Sequence, residues 1–234
     1  MSAADRTPVL LSWSSGKDSA WALKTLREDD RYEVVGLLTT VNRAANRVAM
    51  HAVREELLQR QAAALGLDLR VVGLPWPCSN EDYERIMGEA VEGILEAGVR
   101  AVAFGDLFLE DIRAYREKQL ANTPLDALFP LWGRDTRELA EEMTAGGLSA
   151  VLTCVDPKQI DRAFAGRRYD AALLSELPKS ADPCGENGEF HTFVFDGPMF
   201  ERGLEVEVGE VVEREGFVYA DVLPAVGAVP QDWG

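Results

Sequence analysis

The chain has 234 residues, of which 47% are hydrophobic and 27% charged, a composition that excludes a disordered chain, a collagen-like chain and a coiled coil. The length suits one large domain or two small ones. The net charge is −16 and uneven: residues 1–120 hold 15 basic and 19 acidic groups and residues 121–234 hold 9 and 21, which disfavours a general nucleic-acid or anionic-membrane binder because polyanions are held by Lys and Arg.

Short apolar runs alternate with longer helical segments. Residues 9–13 read as a buried strand, and residues 19–27 as a helix with Ala20, Leu23 and Leu26 on one side. A β-rich run follows at 34–40, then an amphipathic helix at 51–65 that carries Val53, Leu57, Leu58, Ala62 and Leu65 and stops before Gly66. A strand at 69–74, a helix at 82–97, a strand at 101–104 and a helix at 111–120 continue the pattern. Strands alternating with helices predict a parallel sheet covered on both faces, with ligands at the carboxyl ends of its strands. After Asn122 the pattern changes, with Pro124, Pro130 and the run Phe129-Pro130-Leu131-Trp132-Gly133. A helix at 135–145, a strand at 150–155, a helix at 170–177 and a hairpin of strands at 204–212 and 217–223 are expected there, with a loose tail after Pro224. The expected organisation is a first part, residues 1–125, and a smaller α+β part, residues 126–234, with a soft boundary near residue 125.

No apolar run approaches the ~20 residues of a membrane span, and the first seven residues lack an apolar signal core. The expectation is a soluble, cytoplasmic protein without a membrane partner. Cys78, Cys154 and Cys184 are odd in number, widely spaced and free of any Cys-x-x-Cys pair, which disfavours a disulfide framework and a closed zinc site.

The most informative stretch is Ser12-Trp13-Ser14-Ser15-Gly16-Lys17-Asp18-Ser19, between the first strand and the first helix. Small residues there let backbone N–H groups and the helix N-terminus face an anion. Lys17 adds positive charge, and Ser14, Ser15 and Ser19 add hydroxyl donors. Asp18 beside a phosphate makes sense if a Mg²⁺ bridges the two. The plainer alternative is a helix N-cap. Leu11 and Asp18 stand where a Walker loop needs Gly and Ser or Thr, so that motif is excluded, as is Gly-x-Gly-x-x-Gly.

Further candidates lie at the expected ligand edge and in the late loop Asp182-Pro183-Cys184-Gly185-Glu186-Asn187-Gly188-Glu189. Thr39 and Thr40 end the second strand, as adenine contacts or as plain β-formers. His51 opens a helix, as a nucleotide contact or as structure. Gly105 and Asp106 follow the fourth strand, and Asp106 suits Mg²⁺, a ribose or a helix cap. Arg113 and Arg116, spaced i, i+3, suit an anion, or ion pairs with Asp111 or Glu117. Glu186 and Glu189 are placed to orient a reactant, bind Mg²⁺ or act as a base, or else form a solvated acidic turn. His191 is a site residue or a structural histidine.

The loop at Ser14 resembles the pyrophosphate loop, Ser-Gly-Gly-x-Asp-Ser, of the N-type ATP pyrophosphatases, with Ser15 in place of the first Gly. Add His51-Ala52-Val53-Arg54, Gly105-Asp106-Leu107, Glu110-Asp111-Ile112-Arg113, Arg116-Glu117, Phe129-Pro130-Leu131-Trp132, the run from Cys184 to Phe193, and Asp196-Gly197-Pro198-Met199-Phe200. Together these are similar to the diphthine–ammonia ligase family over most of the chain. The Gly-Glu-x-Gly-Glu-aromatic-x-Thr element is the specific part, and His191 departs from the Glu that eukaryotic members tend to carry. The resemblance implies a Rossmann-like fold of the HUP type and an AMP-forming carbon–nitrogen ligase. ATP would adenylylate a carboxylate, pyrophosphate would leave, and ammonia would form the amide. In the family the carboxylate is diphthine on elongation factor 2; here that holds if the host makes diphthine. The implied site has Lys17, Asp18, Glu186, Glu189 and His191 in catalysis, and Ser12, residues 14–19, Thr39, Thr40, His51, Gly105 and Asp106 on ATP. Arg113, Arg116, Gly185, Glu186 and Glu189 would meet the substrate, with Mg²⁺ on Asp18 and Asp106. The late loop is expected to face the α-phosphate across a cleft. A homodimer is compatible with the sequence. The alternatives are a tRNA-modifying enzyme of the same superfamily and a non-catalytic nucleotide sensor; three scattered cysteines and the acidic second half oppose the former.

Overall fold

The computed structural model describes residues 6–42, 47–48, 53–75 and 77–225. In chain order, β1 (Thr7–Ser12) leads into α1 (Lys17–Arg27), β2 (Tyr32–Asn42), a two-residue β3 (Arg47–Val48), α2 (Glu55–Ala64), β4 (Leu69–Leu74), α3 (Asn80–Glu96), β5 (Ala101–Ala103), α4 (Glu110–Leu120) and β6 (Asp126–Leu128). Then come α5 (Thr136–Ala145), β7 (Ser149–Val155), a 3-10 turn at Arg162–Phe164, α6 (Ala171–Glu176), β8 (Phe190–Asp196), β9 (Val206–Arg214) and β10 (Phe217–Pro224).

Five strands pair in parallel in the order β4-β2-β1-β5-β6. Val9, Leu10 and Leu11 of β1 are all buried, as a central strand covered on both faces requires. β3 is antiparallel to β2 and pairs at Val41 and Asn42. Those residues already meet β4 on the other edge of β2, so β3 lies beyond the end of β1. The chain runs from β1 outward through β2 to β4, then returns to the other side of β1 with β5 and β6. The order therefore reverses between β1 and β5, and the crevice outside their carboxyl ends is where such sheets bind ligands. The second sheet is antiparallel, in the order β8-β7-β10-β9.

α1 packs on β2 and also against β8 of the second sheet. One buried cluster joins Leu11, Trp13 and Trp21 of the first half to Met143, Phe193 and Val222 of the second. The Trp21 indole donates to Glu142 Oε1 at 3.1 Å, and the Arg27 guanidinium donates to the carbonyls of Met199 at 2.7 Å and Leu65 at 2.8 Å.

The doubly covered parallel sheet and the smaller second sheet match the expected fold class. Three strands were not anticipated: β3, β6 and β8. β6 adds the parallel sheet's last strand just past residue 125. β8 was hidden because Phe190-His191-Thr192-Phe193-Val194-Phe195 lacks a clean apolar–polar alternation, its residues 190 and 192–194 being buried on both faces. No helix among the described residues is long and apolar enough to cross a membrane. The tail beyond Ala225 lies outside the described residues, as do His51 and Ala52 at the start of the expected second helix.

Candidate functional site

The loop between β1 and α1 sits at the reversal point of the sheet. The N-cap of α1 is Gly16, with no side-chain cap hydrogen bond, so the plain Ser or Asp cap is not what this string builds. Instead the hydroxyls fold inward: Ser19 Oγ donates to the Gly16 carbonyl at 2.9 Å, and Ser14 Oγ lies 3.2 Å from Ser19 Oγ. Ser15 has φ +69, a left-handed conformation that favours glycine, at the position where the pyrophosphate loop carries Gly. Its side chain is fully buried and its Oγ has no hydrogen-bond partner. Gly105, after β5, presses on the start of α1: a Cβ there would stand 2.9 Å from Asp18 C and Ser19 N, so only glycine permits this approach.

Lys17 is 2% exposed. Its Nζ donates to both Asp18 carboxylate oxygens at 2.8 Å and to the carbonyl of Cys184, and its backbone N–H donates to Thr192 Oγ1 at 3.1 Å. Burial pulls the Lys17 ammonium down, but the Asp18 carboxylate beside it, together with Cys184 and Glu186, holds it above its ordinary value. The late loop thus lies directly against the phosphate loop, as the sequence led us to expect, and the unanticipated strand β8 does so as well.

The late loop is braced by two of its own carboxylates. Asp182 Oδ1 accepts from the N–H groups of Cys184 at 2.9 Å and Glu186 at 3.3 Å, and Oδ2 accepts from Thr136 Oγ1 at 2.6 Å. Glu189 is 1% exposed and accepts from Asp182 N at 2.8 Å, Asn187 N at 3.0 Å and Asn187 Nδ2 at 3.2 Å. Gly185 takes φ +70, and a Cβ there would stand 2.8 Å from the Phe190 carbonyl. Glu186 faces the other way. Its Oε1 accepts from Leu107 N at 2.9 Å, just past β5. Burial pushes its carboxyl up to about 7; the Leu107 N–H and Lys17 pull it back, while Asp18 and Asp106 push it further.

Asp106 is raised by burial, opposed by Arg116 and reinforced by Asp18. Asp106 Oδ2 and Arg116 Nε are 3.6 Å apart, and both atoms are buried without a hydrogen-bond partner. Asp106 is not a helix cap, since the N-cap of α4 is Leu109. Arg113 pairs with Glu117 at 2.8 Å, and its guanidinium lies 4.9 Å from the Phe129 ring centre and 4.8 Å from that of Trp132. Thr39 and Thr40 lie within β2, opposite Val71 and Val72, and one and two residues beyond the last pairing with β1 at Ser12. His191 sits on β8 opposite Cys154. Alternation along the strand turns it away from the face on which Thr192 meets Lys17.

Thus Ser14–Ser19, Gly105, Asp106 and Glu186 converge on one cleft, with Ser12, Thr39 and Thr40 at its sheet edge; Glu189 and His191 are turned away from it. Cys184 contributes its carbonyl. Burial pushes its thiol up to about 12, which disfavours the thiolate a nucleophile needs. Sequence reading missed Gln61 and Tyr169, and it gave Thr192, the last residue of the Gly-Glu-x-Gly-Glu-aromatic-x-Thr element, no role of its own. Gln61 is fully buried on α2, and a polar side chain inside the stripe Leu57, Leu58, Ala62 and Leu65 was the signal. Tyr169 donates to the Pro183 carbonyl at 2.8 Å, and its ring centre is 5.7 Å from Lys17 Nζ. Among the described residues, no group of three or more His, Cys, Asp or Glu side chains is arranged to hold a metal ion alone.

Residues 6–122 match the sequence model of the diphthamide synthase N-terminal domain, and residues 135–222 match that of the diphthamide synthase C-terminal domain. The chain belongs to the diphthamide synthase family. It is similar to diphthine–ammonia ligase of Rattus norvegicus, 26% identical over 235 residues that cover 89% of this chain and 86% of the relative. It is 27% identical to the Homo sapiens protein of the same name over 188 residues, covering 75% of this chain and 69% of the relative. The Danio rerio protein of that name is 28% identical over 157 residues, with 61% of each chain covered. These names agree with the expected ligase class, and the cleft described above is formed by segments from both matched regions of this diphthamide synthase family member.

Proposed function

We propose that this chain is an ATP-dependent, AMP-forming ligase that joins ammonia to a substrate carboxylate, with diphthine on elongation factor 2 as the acceptor wherever the host makes it. The observation that carries the reading is the junction of Lys17 with the late loop. A buried ammonium at the start of α1 is held by Asp18 and by the Cys184 carbonyl, two residues before Glu186. The triphosphate would lie on the N–H groups and hydroxyls of residues 14–19, with Lys17 on the departing pyrophosphate, where a preorganised cation stabilises developing charge. Thr39 and Thr40 flank the adenine side of the same edge.

The buried Oδ2 of Asp106, which has Arg116 Nε 3.6 Å away but no hydrogen-bond partner, fits a cation or a ribose hydroxyl, and with Asp18 it would hold Mg²⁺ against the phosphates. Bound there, Mg²⁺ would neutralise phosphate charge. Glu186, with its carboxyl near 7, is suited to accept a proton from the attacking ammonia. Glu189 keeps the loop in shape and so positions Glu186. Arg116 beside Asp106 and Arg113 beside Phe129 and Trp132 are assigned to the acceptor. In this reading residues 1–125 serve the nucleotide and residues 126–234 the acceptor, and the reaction is cytoplasmic, where three free cysteines stay reduced. A sulfur-transfer reading has less support, since burial also pushes Cys154 up to about 11.

The test is to incubate the protein with ATP, Mg²⁺, ammonium and a diphthine-bearing acceptor, and to follow AMP, ADP and pyrophosphate. AMP and pyrophosphate in step with amide are expected; ADP with orthophosphate overturns the reading. AMP release only with a different carboxylate would retain the chemistry and replace the acceptor.

A further inference from the structure

We infer that Gln61 is a positioning residue that locks the peptide between Ser15 and Gly16 to strand β8, so that the phosphate loop and the late loop move as one. The inference rests on the phosphate-binding role proposed above. Gln61 is fully buried, and three of the four hydrogen bonds its amide can make are used, two on the loop between β1 and α1 and one on β8. Its Oε1 accepts from the Trp13 indole N–H at 2.9 Å. Its Nε2 donates to the Ser15 carbonyl at 3.2 Å and to the Val194 carbonyl at 2.6 Å. The Ser15 carbonyl takes a second bond from Val194 N–H at 2.9 Å.

The consequence follows from peptide geometry. A trans peptide points its C=O and its N–H in opposite directions. With the Ser15 carbonyl fixed toward α2 and β8, the Gly16 N–H is turned the other way, to the Ser14 hydroxyl at 3.4 Å. That is the interior of the loop, where the anion is assigned. Ser15 holds a left-handed φ of +69, which a residue with a Cβ keeps only when its surroundings over-determine it. The two donors on its carbonyl supply that constraint. The same strand, two residues earlier, gives Thr192 to the Lys17 N–H. Gln61 therefore couples the loop that grips phosphate to the strand that follows the Glu186 loop. A purely structural amide on this face of α2 would not need to bridge the loop backbone at Ser15 and the strand backbone at Val194.

The experiment measures binding of inorganic pyrophosphate and, separately, of adenosine to the wild-type protein and to Gln61→Met, which keeps length and burial but removes both donors. Pyrophosphate affinity is expected to fall about tenfold, as for loss of one or two hydrogen bonds, with adenosine affinity unchanged. Equal loss of both ligands, or unchanged pyrophosphate binding in a folded variant, overturns the positioning role. If Gln61→Met does not fold, hydrogen exchange on the wild-type protein decides. Added pyrophosphate should slow exchange at Gly16 and Val194 together, and protection of Gly16 alone refutes the coupling. Wild type that binds neither pyrophosphate nor ATP refutes the nucleotide reading itself, and the inference falls with it.

Discussion

The two loops that meet at the cleft are built on opposite plans. The loop between β1 and α1 is held mainly from outside, by Gln61, Thr192, Val194 and Cys184, and it carries a strained residue at its centre. The late loop is held mainly from inside, by Asp182 and Glu189 gathering its own N–H groups, and it turns outward the Cys184 carbonyl, to Lys17, and one carboxylate, Glu186, to Leu107. A loop braced by its surroundings presents its amides to a ligand. A loop braced by its own carboxylates presents one chosen side chain.

Four substitutions test that contrast. The largest effect is expected from Lys17→Ala, which removes the one cation both loops share; AMP formation should fall about 10²–10³-fold while circular dichroism shows the fold intact. Glu186→Gln should come next, lowering turnover about 10²-fold with little change in the KM for ATP. If the ionised form is the working base, wild-type turnover rises with pH through about 7 and the variant lacks that limb. The same raised carboxyl means the folded state binds this proton more tightly than the unfolded chain does. Its contribution to stability therefore declines as pH rises from the ordinary carboxylate range to about 7, and Glu186→Gln should flatten that slope in melting curves.

Glu189→Gln should behave differently from Glu186→Gln, although the two residues are three apart in one motif. It turns an amide N–H₂ toward donors that now meet a carboxylate, so the loss should appear as about 2 kcal/mol of stability, or about 6 °C in Tm. Turnover should fall less than in Glu186→Gln. A Glu189→Gln variant of normal Tm and abolished turnover would reverse the assignment of the two glutamates. The smallest effect belongs to Ser15→Gly. It relieves the left-handed strain and the unpartnered hydroxyl, and should raise stability by about 1 kcal/mol with pyrophosphate binding retained. A drop in stability there would mean that the buried hydroxyl has a function of its own.

What was legible in the sequence was local. The strand–helix alternation has a short period, and the phosphate-loop string is contiguous, so both could be read from neighbouring residues. The contacts that turn the string into a site are not local. Lys17 meets the Cys184 carbonyl across 167 positions, and Gln61 meets Val194 across 133. No spacing rule reaches that far. The direction of a carboxylate was also illegible: Glu186 and Glu189 sit in the same glycine-rich turn, and only the backbone path decides which is spent inside it. Arg113 shows the same limit, since its stack on Phe129 and Trp132 depends on where the chain goes after α4.

The position of α1 between the two sheets bears on how the molecule comes apart. Its N-terminus anchors the cleft, one side rests on the parallel sheet, and Trp21 is buried against α5 while bonded to Glu142. The apolar cluster runs without a break from Leu11 to Val222. Separating the halves would bring Trp21, Met143 and Phe193 into water together, at roughly 1.5–3 kcal/mol for each large side chain. The two matched regions are therefore two stretches of sequence but one cooperative unit, expected to unfold in a single transition. Ligand entry is then a matter of side chains and loop tips at the rim, rather than of one half swinging away from the other.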